Sequence, residues 1–278
     1  MISRIISGLI MAGGVIAVLS FCQASVMHGV VSVIALIAAW EFHHMARSED
    51  TLPSRLFFVL SVLAIGLHPL INSFTPWRLD IVLPVVFLLT AVRHLAQPLP
   101  LNEAAPRLAH DVLGLTYLGC TLPFILLLRG INDGSGPIQT SQGGWILLMV
   151  IVVTALSDTG GYFAGRFFGK RKLYEAVSPK KTIEGAIGGF VCAVAGCFAM
   201  QASMNGLSQL TTVDCIAIGS LGTIASIVGD LVESLIKRGY GVKDSGTIIP
   251  GHGGVLDRID ALLFSAPVIF FYWGAFIA

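Results

Sequence analysis

Apolar residues run in long blocks along this chain, and polar residues collect in the short gaps between them. The blocks fall at roughly 5–21, 26–42, 56–71, 79–95, 108–128, 145–165, 182–204, 212–236 and 259–277. Each comes close to or exceeds the roughly 18 residues that let a helix cross a hydrocarbon core of about 30 Å. The pattern therefore predicts nine membrane-spanning helices. Pro84, Pro123 and Pro267 fall inside blocks, which membrane helices tolerate where neighbours re-satisfy the freed carbonyls. The first block is followed by no small-x-small cleavage site, so it is expected to be a mature helix and not a signal peptide.

Composition agrees. The 278 residues are 55% hydrophobic and only 12% charged, with a mean hydropathy of +0.83. A soluble globule of this size would lack the polar surface to stay solvated. The expected fold class is all-α, a polytopic integral membrane protein. Net charge is +1 and identifies no partner, but the placement of charge is informative. If the N-terminus is inside and the spans alternate, 15 of the 17 Lys and Arg face inward and only Arg78 and Arg129 face outward. This is the positive-inside asymmetry, and it puts the N-terminus in the cytoplasm and the C-terminus in the periplasm. Cys22, Cys120, Cys192, Cys197 and Cys215 lie in or beside apolar blocks without paired spacing, as expected of free thiols.

The chemistry is unevenly spread. Residues 1–144 read as helices that serve mainly as scaffold and lipid contact. There, Glu41, His43 and His44 beside Arg47 read as a solvated helix end or a headgroup contact, and Asp111 as structural. Residues 145–278 carry the candidate site, with cytoplasmic loops 166–181 and 237–258. Asp158 is an acid inside an apolar block, costly there unless paired or hydrated. Gly161, Tyr162 and Gly165 share its helical face.

Next comes Ser178-Pro179-Lys180-Lys181-Thr182. Ser178 reads as a helix N-cap and Pro179 as the first helical residue. Two lysines oppose the helix dipole there, and free N–H groups beside them would seat a phosphate. The plainer reading is flanking positive charge against lipid phosphates.

The most charged stretch is Ser234–Asp260, with Asp230 and Glu233 just before it. Asp230, Glu233, Ser234 and Lys237 fall at i, i+3, i+4 and i+7 on one helical face. An internal Glu233–Lys237 salt bridge would account for one pair and leave Asp230 over. Asp230 and Asp257 could together hold a hard divalent cation, which favours carboxylates plus phosphate oxygens. Between them lie Lys243, Asp244, His252, Gly253 and Gly254, and Asp260 follows Asp257 by one turn. Acids for a metal, bases for phosphates and a membrane setting point to phosphoryl or nucleotidyl transfer onto a lipid. There is no P-loop and no dinucleotide fingerprint.

The run of Ser234, Lys237-Arg238, Lys243-Asp244, His252-Gly253-Gly254, Asp257-Arg258 and Asp260 closely resembles the signature of bacterial phosphatidate cytidylyltransferases, the CDP-diacylglycerol synthases. The elements Ser157-Asp158-Thr159 with Tyr162, and Ser178 to Gly185, resemble the same family. The resemblance covers at least Ser157 to Asp260. It implies that CTP and phosphatidic acid give CDP-diacylglycerol and pyrophosphate with Mg²⁺, a second cation being left open. It implies Asp230 and Asp257 as metal ligands, and a catalytic set of Asp230, Asp257, Lys237, Arg238, His252 and Asp260. Ser178, Lys180, Lys181, Thr182, Ser234, Lys243, Asp244 and Asp158 form the substrate-binding set.

The implied partners are the two substrates and membrane lipids, with no nucleic acid. A homodimer is left open by the glycine-bearing faces of the sixth and seventh blocks. The implied location is a bacterial inner membrane with the site facing the cytoplasm. The alternatives are a CTP-dependent polyprenol or other lipid kinase and, more remotely, a cation transporter. A CDP-alcohol phosphotransferase is disfavoured because its D-G-x-x-A-R segment is absent.

Overall fold

The computed structural model describes residues 13–14, 17, 24–72, 79–97, 100–131, 141–249, 251 and 253–277. Helix α1 is Ala24–Ala46, α2 Leu52–Gly66, α3 His68–Asn72 and α4 Leu79–Ala96. Helix α5, Leu101–Gly114, runs through a π-helical segment, Leu115–Gly119, towards α6, Pro123–Arg129. Helices α7 (Gln142–Phe168), α8 (Ile183–Ser203), α9 (Thr212–Gly239) and α10 (Leu256–Phe276) complete the set. Among the described residues, seven helical stretches are long and apolar enough to cross a membrane. The chain is an all-α, multi-pass membrane protein. The third expected span is a shorter helix of 15 residues, α2, and of the first only residues 13–14 and 17 are described. Cys120, Cys192, Cys197 and Cys215 are free; Cys22 lies outside the description.

Caps fix where the long helices begin. Ser141 accepts the Gly144 N–H at 3.1 Å ahead of α7. Thr211 and Asp214 cap α9 reciprocally: Asp214 N–H donates to Thr211 Oγ1 at 3.2 Å, and Thr211 N–H to Asp214 Oδ2 at 2.8 Å. Each satisfies donors that the first helical turn leaves unpaired.

Ahead of α8 the structure corrects the sequence reading. Ser178 is no helix cap, and Pro179 does not open the helix. Ser178–Thr182 is strand β2, antiparallel to β1 (Lys172–Tyr174), with Lys172 opposite Thr182 and Tyr174 opposite Ser178. Thr182, β-branched and extended at φ −127°, ψ 157°, is the actual N-cap and accepts the Gly185 N–H at 3.1 Å. Lys180 and Lys181 therefore stand on a hairpin in front of the helix.

Two close helix crossings position the site. A Cβ on Gly160 of α7 would lie 2.6 Å from Cys192 Sγ and 2.8 Å from the Gly188 carbonyl of α8, so these small residues pack α7 against α8 within the chain. A Cβ on Gly229 would lie 2.6 Å from the Asp260 carbonyl. That contact brings the Asp230 turn of α9 against the Asp260 turn of α10.

Elsewhere a buried ion-pair network ties α1, α4 and α5 together. Arg47 donates to Asp111 Oδ1, and His94 Nε2 lies 2.6 Å from Asp111 Oδ2. Arg107 reaches Asp50 at 3.2 Å. Asp111 is 1% exposed, so its charge is admissible only because it is paired.

Candidate active site

One cavity of about 340 Å³ is lined by five of the fourteen predicted site residues: Asp158, Lys180, Lys181, Thr182 and Asp230. Asp158, Gly161, Tyr162, Gly165 and Arg166 line it from α7; Lys180, Lys181 and Thr182 from the hairpin and cap; Asp230 from α9. The α7 residues reach it together because they recur on one helical face. Lys181 Nζ lies 2.7 Å from Asp230 Oδ2, and Ser234 Oγ donates to Asp230 Oδ1 at 3.2 Å. Asp158 is exposed to the cavity. Asp158, Asp230 and the buried Asp260 lie within Coulombic reach of one another.

A second cluster forms where the loop after α9 meets the start of α10. Lys237 Nζ bridges Glu233 Oε2 and Asp257 Oδ1, both at 2.6 Å. The internal Glu233–Lys237 bridge is thus present, and the same ammonium also holds Asp257. Asp257 Oδ2 accepts N–H bonds from Gly254 at 2.8 Å and Ser245 at 3.0 Å. Gly253 adopts φ +85°, and a Cβ there would fall 2.6 Å from Asp257 Oδ2; glycine is required on both counts.

The remaining predicted residues sit apart. Ser178 is half-buried on β2 and does not line the cavity. Arg238 is exposed and donates to the Val242 carbonyl at 3.3 Å. Lys243 and Asp244 are exposed on the loop. His252 lies outside the described residues.

The donor chemistry suits a hard cation. Asp158, Asp230 and Asp260 bring carboxylates from three helices towards one place, and Asp257 stands one turn before Asp260. Asp257 Oδ1 accepts Lys237 Nζ at 2.6 Å and, more weakly, the Ser245 N–H at 3.3 Å, so a cation at Asp257 would take the place of the longer of these bonds. A different group, His43, His110 and Asp111, brings ligand atoms within 4.8 Å of one another. Asp111, however, already binds Arg47 and His94, and Arg93 lies 3.9 Å away. Asp111 is the single carboxylate of that group and faces two guanidiniums, whereas Asp158, Asp230, Glu233, Asp257 and Asp260 outnumber the two lysines paired among them, so this group is part of the ion-pair network.

Three contributors escaped the sequence reading. Arg166 lines the cavity and donates to the Tyr162 hydroxyl at 2.9 Å; its place eight residues after Asp158, on the same face, was the available signal. Tyr117, buried on the π-helical segment, lies within Coulombic reach of Glu233, Asp260, Asp230 and Asp257. π-Helical turns concentrate at functional sites, but nothing in the local sequence announces one. Glu41, read as a solvated helix end, is only 3% exposed.

A model of the cytidylyltransferase family matches residues 2–276 of the chain. A phosphatidate cytidylyltransferase of Haemophilus influenzae is 32% identical over 282 residues, covering 97% of this chain and 97% of that protein. One from Thermotoga maritima is 31% identical, covering 96% and 93%. A chloroplastic phosphatidate cytidylyltransferase of Arabidopsis thaliana is 30% identical, covering 95% and 67%.

Proposed function

Because the chain belongs to the cytidylyltransferase family, we propose that it transfers the cytidylyl group of CTP to phosphatidic acid, giving CDP-diacylglycerol and pyrophosphate. The observation that best supports this reading is the Lys181–Asp230 pair, 2.7 Å apart on a cavity lined by Asp158 and Lys180. It sets phosphate-binding ammoniums beside metal-binding carboxylates on membrane helices.

In this reading Asp230 and Asp257 hold Mg²⁺, with Asp158 and Asp260 beside them. Bound there, Mg²⁺ supplies charge neutralisation for the triphosphate. Lys180 and Lys181 take phosphate oxygens at the cavity. Ser234 steadies Asp230, and Lys237 orients Asp257. An oxygen of the lipid phosphate attacks the α-phosphorus of CTP in line. A new P–O bond forms, the bond from the α-phosphorus to the bridging oxygen breaks, and pyrophosphate leaves with the electron pair. A phosphate monoester is largely ionised near neutral pH, so the attack needs no dedicated base. Catalysis then rests on positioning and electrostatic stabilisation. The excess of basic residues on one side of the spans, together with the bacterial relatives, supports an inner-membrane location with the cavity on the cytoplasmic side.

The test is the product released by the purified protein with CTP, phosphatidic acid and Mg²⁺. Pyrophosphate that requires the lipid is the expected result. Release of CDP would instead make the protein a lipid kinase.

A further inference from the structure

Glu41 lies on α1, more than 200 residues from the loop that its carboxylate contacts. Its Oε1 accepts the Val255 N–H at 3.1 Å, and its Oε2 accepts the Leu256 N–H at 2.9 Å and the Ser245 hydroxyl at 3.3 Å. Helix α10 has no side-chain cap of its own, since its N-cap position is Val255. The opening N–H groups of a helix must find acceptors, and a carboxylate at that end also suits the helix dipole. Glu41 meets both needs from another helix.

The loop backbone is moulded around this carboxylate. A Cβ on Gly254 would lie 2.5 Å from Glu41 Oε2, and one on Gly246 would lie 2.8 Å from Glu41 Cδ. Two carboxylates divide the same loop between them. Asp257 takes the N–H groups of Ser245 and Gly254, while Glu41 takes the Ser245 hydroxyl and the N–H groups of Val255 and Leu256. The donors of one carboxylate are thus immediate neighbours of the donors of the other. Moving Glu41 would shift the backbone that fixes Asp257.

We infer that Glu41 is a positioning residue for the cation site: it clamps the 240–255 loop and the start of α10 so that Asp257 faces the site in a fixed orientation. The inference rests on the reading above that Asp257 helps to hold the divalent cation. It also gives the N-terminal helices a part in the site beyond scaffold. An acceptor-only side chain is required, because a glutamine in its place would turn an NH₂ group towards backbone N–H donors.

The experiment uses the full-length protein in detergent and compares wild type with Glu41→Gln and Glu41→Asp. Two readouts are taken: Mn²⁺ affinity, from the electron paramagnetic resonance of the free ion, and amide hydrogen exchange along the chain. Supporting residues behind a metal ligand typically change affinity about 10–100-fold. Glu41→Gln should weaken Mn²⁺ binding within that range and speed exchange across residues 242–256, leaving α7 and α8 at wild-type rates. Glu41→Asp, which keeps the charge but is one methylene shorter, should fall between. Unchanged Mn²⁺ affinity in folded Glu41→Gln, or unchanged loop exchange, would overturn the inference.

If Glu41→Gln does not fold, Gly246→Ala presses on the same carboxylate from the loop side. It should weaken Mn²⁺ binding likewise, and wild-type affinity in that variant would overturn the inference. If wild type itself binds no Mn²⁺, the cation reading falls. Loop exchange then decides alone: faster exchange in Glu41→Gln upholds the clamp, and unchanged exchange overturns it.

Discussion

Two regions of this molecule hold charge inside helical bundles, and they hold it differently. At the ends of α1, α4 and α5 the acids are matched by bases: Asp111 by Arg47 and His94, Asp50 by Arg107. Between α7, α9 and α10 the acids crowd one another. Asp158, Asp230 and Asp260 share one neighbourhood, where Lys181 pairs with Asp230 beside an open cavity. Matched buried charge is a structural device, retained because losing either partner leaves the other stranded. Crowded acids beside exposed bases are expensive for a resting fold, and they make sense when a cation and phosphates complete the set. Sign balance distinguishes the two regions better than the number of charges does.

The sharpest way to break that contrast is to remove one acid from each region. Asp111→Ala takes from buried Arg47 its closer partner and leaves only Asp50 at 3.6 Å, so it should cost about 3 kcal/mol of stability, the lower end of what breaking a buried pair costs. The check is thermal unfolding in detergent, with the KM for CTP of the surviving folded fraction expected at its wild-type value. Asp230→Asn should do the opposite. Its unfolding temperature should match wild type, while kcat for pyrophosphate release falls about 10²–10³-fold, the scale of losing one preorganised electrostatic contact. Lys181→Met, which removes one charged hydrogen bond at the cavity, should raise the KM for CTP by about tenfold or more; steady-state kinetics measures it. The smallest effect belongs to Arg107→Ala. Its pair with Asp50 is partly solvated, so about 0–1 kcal/mol of stability is at stake, and equilibrium unfolding with parallel kinetics should show activity intact.

Much of the fold could be read from the sequence because apolar blocks and helix caps are local signals. Blocks 212–236 and 259–277 correspond to α9 and α10 within a few residues. The Asp230, Glu233, Ser234, Lys237 face is helical throughout, because its spacing alone sets that geometry. Ser178 misled because Ser-Pro before charged residues resembles a helix start, whereas pairing with Lys172–Tyr174, a non-local event, draws it into a strand. The phosphate seat expected of Lys180 and Lys181 rests on a helix N-terminus; that ground falls with the strand, and their place on the cavity lining comes from the structure. Glu41 was beyond reach for the same reason: its acceptor role depends on a loop more than 200 residues away, brought near only by the packing of α1 beside α10. Tyr117 depends on a π-helical turn that periodicity does not reveal.

The most direct test of where the chemistry happens is a footprint of the cavity lysines. The purified protein, without phosphatidic acid so that no cytidylyl transfer takes place, would be treated with an amine-reactive reagent with and without CTP and Mg²⁺, and the modified lysines read by mass spectrometry. The account predicts that nucleotide protects Lys180 and Lys181, while exposed Lys170, outside the cavity lining, stays reactive. Equal modification of Lys180 and Lys181 with and without saturating CTP would contradict the account and place the triphosphate elsewhere.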